Sequence, residues 1–489
     1  MIRWPRTLGL LVVLPALALA QGVVDPGQST EWAPGAIAHA QRMRAYPDAD
    51  HGPPLTPPAI PTFAVDNTPH GQVATYQPDG ATPTAGHAFF QTLGTNDRTC
   101  FTCHQPQTGW TISAQDAQAR FDQSGGSDPL FRLVDGATCP SADVSTPAAK
   151  REAYKLLREK GLIRVGLPVP ANPQFIFVAV DDPYTCTANP STGLTSQTTG
   201  IVSVYRRPLP ATNLTFLSAI MWDGREPSLQ QQAVDAMLIH AQATAAPTPD
   251  QQAQIVEFEL GLFTAQASDT DAQNLDARGA TGGPRALAAQ LFFIGINDPL
   301  GFNPTGAPFD PAIFDLYTAW ASLSGQDGVT LHRQAVARGE QVFNTKRFTI
   351  TGVAGLHDGP GFCGTCHDAP NVGDHSVKAP LNIGLTDAVP PPALDIAGLP
   401  IFTLYCTAGP LAGQMFTVTD PGRALITGQC ADIGKVKGPI LRGLAARAPY
   451  FHNGSAATLR AVVDFYDARF HIGFTEQEKQ DLVHFLSTL

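Results

Sequence analysis

The chain has 489 residues, too many for one ordinary core, and this points to two domains. With 43% hydrophobic residues, and 43 Pro and 45 Gly scattered rather than repeated, the composition excludes general disorder and fits loop-rich globular cores. A formal charge of −11 disfavours a nucleic-acid partner.

Residues 1–20 read as a secretory leader: Arg3 and Arg6 are followed by an apolar stretch from Leu8 to Ala20, ending in the small-residue site Ala18-Leu19-Ala20. That stretch is interrupted by Pro15 and falls short of the roughly 20 residues a spanning helix needs, so a mature chain without a membrane span is expected, periplasmic or secreted. Removing Arg3 and Arg6 takes the formal charge from −11 to −13, which suits a basic soluble partner. Residues 21–80, rich in Pro, Gly, Asp and Thr, read as an irregular, extended N-terminal arm.

Gly86-His87-Ala88-Phe89-Phe90 reads as a short helix leading to Cys100, and Arg338-Gly339-Glu340-Gln341-Val342-Phe343 as a similar helix leading to Cys363. In both, Gly is followed four residues on by an aromatic, a weak internal repeat. Further helices are expected from Ser228 to Ala241, after the capping pattern Thr248-Pro249-Asp250-Gln251, around Phe314 to Leu323, and after Thr475 with Glu478. The spacings Ile255, Phe258, Leu262 and Leu459, Val462, Val463, Tyr466 each present one packing face.

The helices of the repeat lead to Cys100-x-x-Cys103-His104 and Cys363-x-x-Cys366-His367. Two thiols at this spacing can add to the two vinyl groups of a porphyrin, and the next His can reach the iron, so two covalent c-type haems are expected with His104 and His367 as iron ligands. A zinc site would need the two Cys pairs to meet across about 260 residues and would leave both histidines unexplained. The resulting fold expectation is mainly α: two cytochrome c-type haem domains with long loops, at 81–325 and 326–489, behind the arm. The remaining four cysteines are expected to close two local disulfides, Cys139 with Cys186 and Cys406 with Cys430, in an oxidising compartment.

Three further segments carry a resemblance: Trp222-Asp223-Gly224-Arg225 followed by Leu229 and Gln232, Lys437-Gly438-Pro439-Ile440-Leu441-Arg442, and Ala448-Pro449-Tyr450-Phe451-His452-Asn453-Gly454. With the haem runs they make residues 84–489 similar to the bacterial di-haem cytochrome c peroxidase and MauG superfamily. The resemblance implies that Trp222 lies between the haems and relays electrons, and it places Arg225 in the same candidate catalytic segment. It also implies hydrogen peroxide as oxidant at the N-terminal haem and a small soluble donor, such as a cytochrome c or a cupredoxin.

The departures from that pattern are equally informative. Gln242 stands where the peroxidases have a Glu that assists O–O cleavage, and an amide is neither acid nor base; the nearest substitute is His240. Arg207 stands in place of an Asn of the metal-binding position, which puts the family's interface calcium in doubt. No Met follows Met415, so the C-terminal haem needs another sixth ligand or none, and His452 is the candidate. Tyr205-Arg206-Arg207-Pro208-Leu209-Pro210 and the His452 segment also resemble the di-haem rubber oxygenases, which use dioxygen. The expected activity is therefore a periplasmic peroxidase-type di-haem oxidoreductase. Haem-dependent oxygenation and non-catalytic electron transfer are the alternatives.

Overall fold

A computed structural model describes residues 56–184, 186 and 201–489. The expected leader, and the expected arm up to residue 55, lie outside these residues.

The strands used below are β1 (Phe63–Thr68), β2 (Gly71–Tyr76), β3 (Ile163–Pro168), β4 (Phe175–Asp181), β5 (Ile201–Arg206), β6 (Phe263–Asp269), β7 (Gln273–Asn274), β8 (Ile401–Cys406) and β9 (Met415–Val418). The helices are α1 (Ala114–Ser124), α2 (Leu229–Ile239), α3 (Pro249–Leu260), α4 (Gly328–Thr345), α5 (Leu459–Phe470) and α6 (Glu476–Ser487). Expected starts at Ser228, Thr248 and Thr475 are observed: each side chain accepts the backbone N–H three residues on, and Gln251 and Glu478 complete reciprocal caps.

Three expectations need correction. The fold is not simply mainly α: among the described residues helices are joined by five small sheets, every pairing antiparallel. Residues 63–76 of the expected irregular arm form a hairpin, β1–β2, that extends through β6 to β7 in a four-stranded sheet. Its composition hides an alternating pattern in which Ala64 and Asp66 point inward. In a second sheet β8 lies between β9 and β4, so a strand from the first half of the chain pairs with one from the second. Phe402, Leu404 and Cys406 of β8 face its core in period two.

The helix expected over Phe314–Leu323 shrinks to one 3₁₀ turn, Thr318–Ser322. Side chains take the backbone donors that a helix would use: Asn344 Oδ1 accepts from Ile313 N at 3.0 Å, and Glu340 Oε2 from Tyr317 N at 2.8 Å. This segment packs with α4 and α6 around Trp320, Phe343 and Phe485. The repeat glycines differ in function. A Cβ on Gly339 would lie 2.0 Å from Asp481 O, so Gly339 lets α4 cross α6 closely, whereas Gly86 has φ +78° and open space beside it.

Candidate haem sites

Both Cys-x-x-Cys-His runs fold alike. A 3₁₀ turn opens at each first cysteine, and the histidine N–H closes back on that cysteine's carbonyl, His104 N to Cys100 O at 3.0 Å and His367 N to Cys363 O at 3.1 Å. Thr102 and Thr365 lock the turns by accepting the N–H of Thr99 and Phe362, each at 3.0 Å. The two thiols and the imidazole of each run are thereby presented together by local backbone geometry.

Each imidazole is oriented from behind by a carbonyl. His104 Nδ1 lies 2.8 Å from Trp110 O, and His367 Nδ1 lies 2.6 Å from Gly373 O. A carbonyl accepts only, so Nδ1 carries the proton and Nε2 keeps its lone pair, the form that binds a metal. Burial lowers the pKa of His104 and takes that of His367 down to about 4, which keeps both rings neutral. Phe89 lies 6.3 Å from the His104 ring and Phe343 6.2 Å from the His367 ring. The aromatic equivalent to Phe343 is thus Phe89, one residue before the position that the repeat aligned.

The residues fit covalent haem. Four cysteines form the two expected disulfides, Cys139–Cys186 and Cys406–Cys430, while Cys100, Cys103, Cys363 and Cys366 stay unpaired. Each unpaired couple borders a mostly apolar cavity, one at Cys100/Cys103 and one at Cys363/Cys366.

The first cavity is bordered by His104 and also by Met221, Met237, His240 and Glu259. Helix α2 ends at His240, which serves as its C-cap. The His240 ring is held: Nδ1 lies 2.6 Å from Asp135 Oδ2, and Asp135 takes Arg98 Nη1 at 2.6 and 2.8 Å. Arg98 Nη1 also reaches His240 O at 3.2 Å. Burial alone would raise Asp135, but Arg98 and then His240 outweigh it and hold the carboxyl below its usual range. Sequence reading missed Asp135, which lies 105 positions from His240. It also missed Glu259, a buried carboxyl whose Oε2 has no hydrogen-bond partner among the described residues and which burial pushes up to about 8.

Gln242 does not border this cavity. It sits at the surface in a left-handed conformation, φ 54°, and its Oε1 accepts from Asn96 Nδ2 at 3.3 Å. Arg225 borders neither cavity; its Nη1 pairs with Asp223 at 3.1 Å. Asp223 and Asp420 both bind the fully buried Arg206, at 2.5 and 2.6 Å.

Trp222 borders the second cavity, although Met221 beside it borders the first. Its indole Nε1 donates to Arg207 O at 2.7 Å, and its carbonyl accepts from Lys437 N at 2.7 Å. Lys437 borders both cavities, so Trp222 and Lys437 belong to the wall between them. His452 is fully buried against the second cavity, its ring 6.1 Å from that of Trp222; neither ring nitrogen has a hydrogen-bond partner among the described residues, and Nε2 lies 3.9 Å from Asp420 Oδ2. Burial takes His452 down to about 4, so its ring is neutral.

Arg207, in the doubted calcium position, donates to Ile112 O at 2.6 Å, Arg447 O at 2.9 Å and Lys160 O at 3.3 Å. A guanidinium of the chain itself supplies the positive charge among these carbonyls.

No protein-family profile matches the chain. A curated relative, the cytochrome-c peroxidase IdrP2 of Denitromonas iodatirespirans, is 35% identical over 143 residues, which are 27% of this chain and 37% of the relative. The cytochrome c551 peroxidase of Nitrosomonas europaea is 31% identical over 128 residues, 26% of this chain and 30% of that one. The matches thus span well under half the length of these relatives. Among solved structures, one described as a MauG-like protein associated with microbial copper homeostasis aligns with 82% of this chain and 86% of its own at 16% identity, with a TM-score of 0.37. No helix among the described residues is long and apolar enough to cross a membrane.

Proposed function

We propose that this chain, a relative of the bacterial di-haem cytochrome c peroxidases, is a periplasmic di-haem c oxidoreductase that reduces hydrogen peroxide with electrons from a small donor protein. Cys100, Cys103 and His104 would hold one haem, and Cys363, Cys366 and His367 the other. Bound haem supplies an iron that exchanges single electrons and offers a coordination position. The chain's own residues must then supply orientation, protons and an electron path.

The observation that carries this reading is the tethered imidazole in the first cavity. Reducing one peroxide to two waters takes two electrons and two protons. Asp135 fixes Nδ1 of His240, so the proton-exchanging atom offered to the cavity is Nε2. Nε2 can take the proton from one oxygen of peroxide and deliver it to the other as the O–O bond breaks, releasing one water; the remaining oxygen would take up the two donor electrons and two protons from solvent to become the second water. The negative Asp135 stabilises the imidazolium that forms between these two transfers, and Arg98 keeps that carboxylate ionised. In this reading His240 supplies the acid–base function that Gln242 cannot.

Trp222 would pass electrons from the second haem to the first, supported by its place in the shared wall and by its oxidisable indole. His452 would be the sixth ligand of the second haem, since it offers a neutral imidazole there that makes no hydrogen bond among the described residues. A cytochrome c or a cupredoxin would be the donor.

The test is direct. The denatured protein should keep two haems, by haem stain and by mass, and the native protein should consume peroxide with a reduced small cytochrome or cupredoxin. Both haems extractable by acid-acetone would remove the cofactor assignment. Dioxygen consumption without peroxide turnover would establish oxygenation instead, and two six-coordinate haems with neither activity an electron-transfer protein.

A further inference from the structure

The turn between β6 and β7 meets His332 in the first turns of α4 and His484 at the end of α6, outside both haem cavities. Asp269, Asp271 and His332 each bring a ligand atom there, and the three atoms lie within 4.8 Å of one another. Asp269 is buried and fixed, its Oδ1 accepting from Asp271 N at 2.9 Å and Ala272 N at 2.8 Å. His332 Nε2 is buried without a hydrogen-bond partner, 3.4 Å from Asp269 Oδ1. The His484 ring packs against the His332 ring, centroids 4.3 Å apart at 73°, and limits its rotation.

The two carboxylates face only an imidazole and backbone N–H groups among the described residues, with His332 Nε2 3.4 Å from Asp269 Oδ1 and its Nδ1 3.9 Å from Asp271 Oδ2. Among the described residues, no Lys or Arg pairs with Asp269 or Asp271. Neighbouring Arg333 spends its guanidinium on Ala272 O and Asn274 O and lies over the Trp320 ring. Two carboxylates and one imidazole therefore face one another, and the buried His332 Nε2 makes no hydrogen bond among the described residues. Tetrahedral zinc, with bonds of about 2.0–2.2 Å, spaces its ligand atoms about 3.4 Å apart, the separation of the His332 and Asp269 atoms. Asp271 is largely exposed, with Oδ2 3.9 Å from His332 Nδ1, so it can swing inward and leaves a route from solvent.

We propose that Asp269, Asp271 and His332 bind one divalent transition-metal ion, of the zinc class, which ties the β6–β7 turn to α4. The mixed nitrogen and oxygen donors suit zinc or its neighbours; calcium and magnesium favour oxygen alone. The site stands independently of the peroxidase reading, because it uses none of the residues at either cavity.

The experiment uses full-length, haem-loaded, untagged protein stripped with chelator and then titrated with zinc alone. Calorimetry and metal content after gel filtration should give one zinc per chain, and zinc should raise the unfolding midpoint. His332→Gln should abolish this uptake, and Asp271→Asn should weaken it about tenfold or more. Asp271 is exposed, so its variant folds and keeps the test valid if His332→Gln does not. Absence of saturable uptake by the wild type would overturn the proposal and leave His332 as a plain ion-pair partner of Asp269. Unchanged uptake in Asp271→Asn, or in a folded His332→Gln, would overturn it equally.

Discussion

Replacing His240 by Ala separates chemistry from folding better than any other change in the first cavity. The variant loses the 2.6 Å contact to Asp135 but leaves Asp135 bound to Arg98 at 2.6 and 2.8 Å, so no buried charge is stranded. A hydrogen bond to a charged group is worth about 1.5–3 kcal/mol, and His240 is 30% exposed, so the loss belongs at or below the low end of that range. Against a total stability of about 5–15 kcal/mol the fold persists. Removing Asp135 instead would strand Arg98 and confuse the two effects. A positioned proton-transfer group contributes about 10²- to 10⁴-fold to rate, so peroxide turnover should fall by that factor, which is about 2.7–5.5 kcal/mol of barrier. The assay is steady-state peroxide consumption with a reduced donor, alongside optical spectra of both haems and partial rescue by added imidazole. Wild-type turnover in the folded variant would refute the acid–base role. A conversion of the first haem from low to high spin would show that His240 is an iron ligand instead.

Trp222→Phe keeps an aromatic in the shared wall but removes the indole that donates to Arg207 O; inter-haem electron transfer should slow severely with both haem spectra nearly intact, and an unchanged rate would reduce Trp222 to packing. His452→Ala should change the spectrum and spin state of the second haem alone, which electron paramagnetic resonance reads directly; an unaltered signal would remove His452 as ligand. Acid should unfold the protein partly through Asp223 and Asp420, whose carboxyls burial would raise but the buried Arg206 holds below the usual range. Because their folded pKa values lie below the unfolded value of about 3.9, their stabilisation is complete above it and is lost as pH falls through the folded values. Unfolding midpoints should drop on acidification below about pH 4, and a midpoint that rises there would contradict this network.

Most of what could be read in the sequence lies within a few residues. The haem runs place two thiols and an imidazole by a single 3₁₀ turn, and the caps at Ser228, Thr248 and Thr475 act across three residues, so local spacing is sufficient for each. The disulfides followed from compartment and proximity along the chain. Of the supposed arm, β2 was hidden because its second partner β6 lies about 190 positions away, and its local partner β1 because the Pro- and Gly-rich composition masks its alternation; β4 and β8 are separated still further. Asp135 carries no local signal at all: it becomes significant only because folding carries it to His240 and Arg98. Likewise His332 and Asp269 are ordinary residues along the chain, and Lys437 an ordinary lysine of a matched motif. Their distances from one another, and the water excluded around them, are set by how α4, β6 and the cavity walls pack, and such long-range packing leaves no periodic mark on sequence.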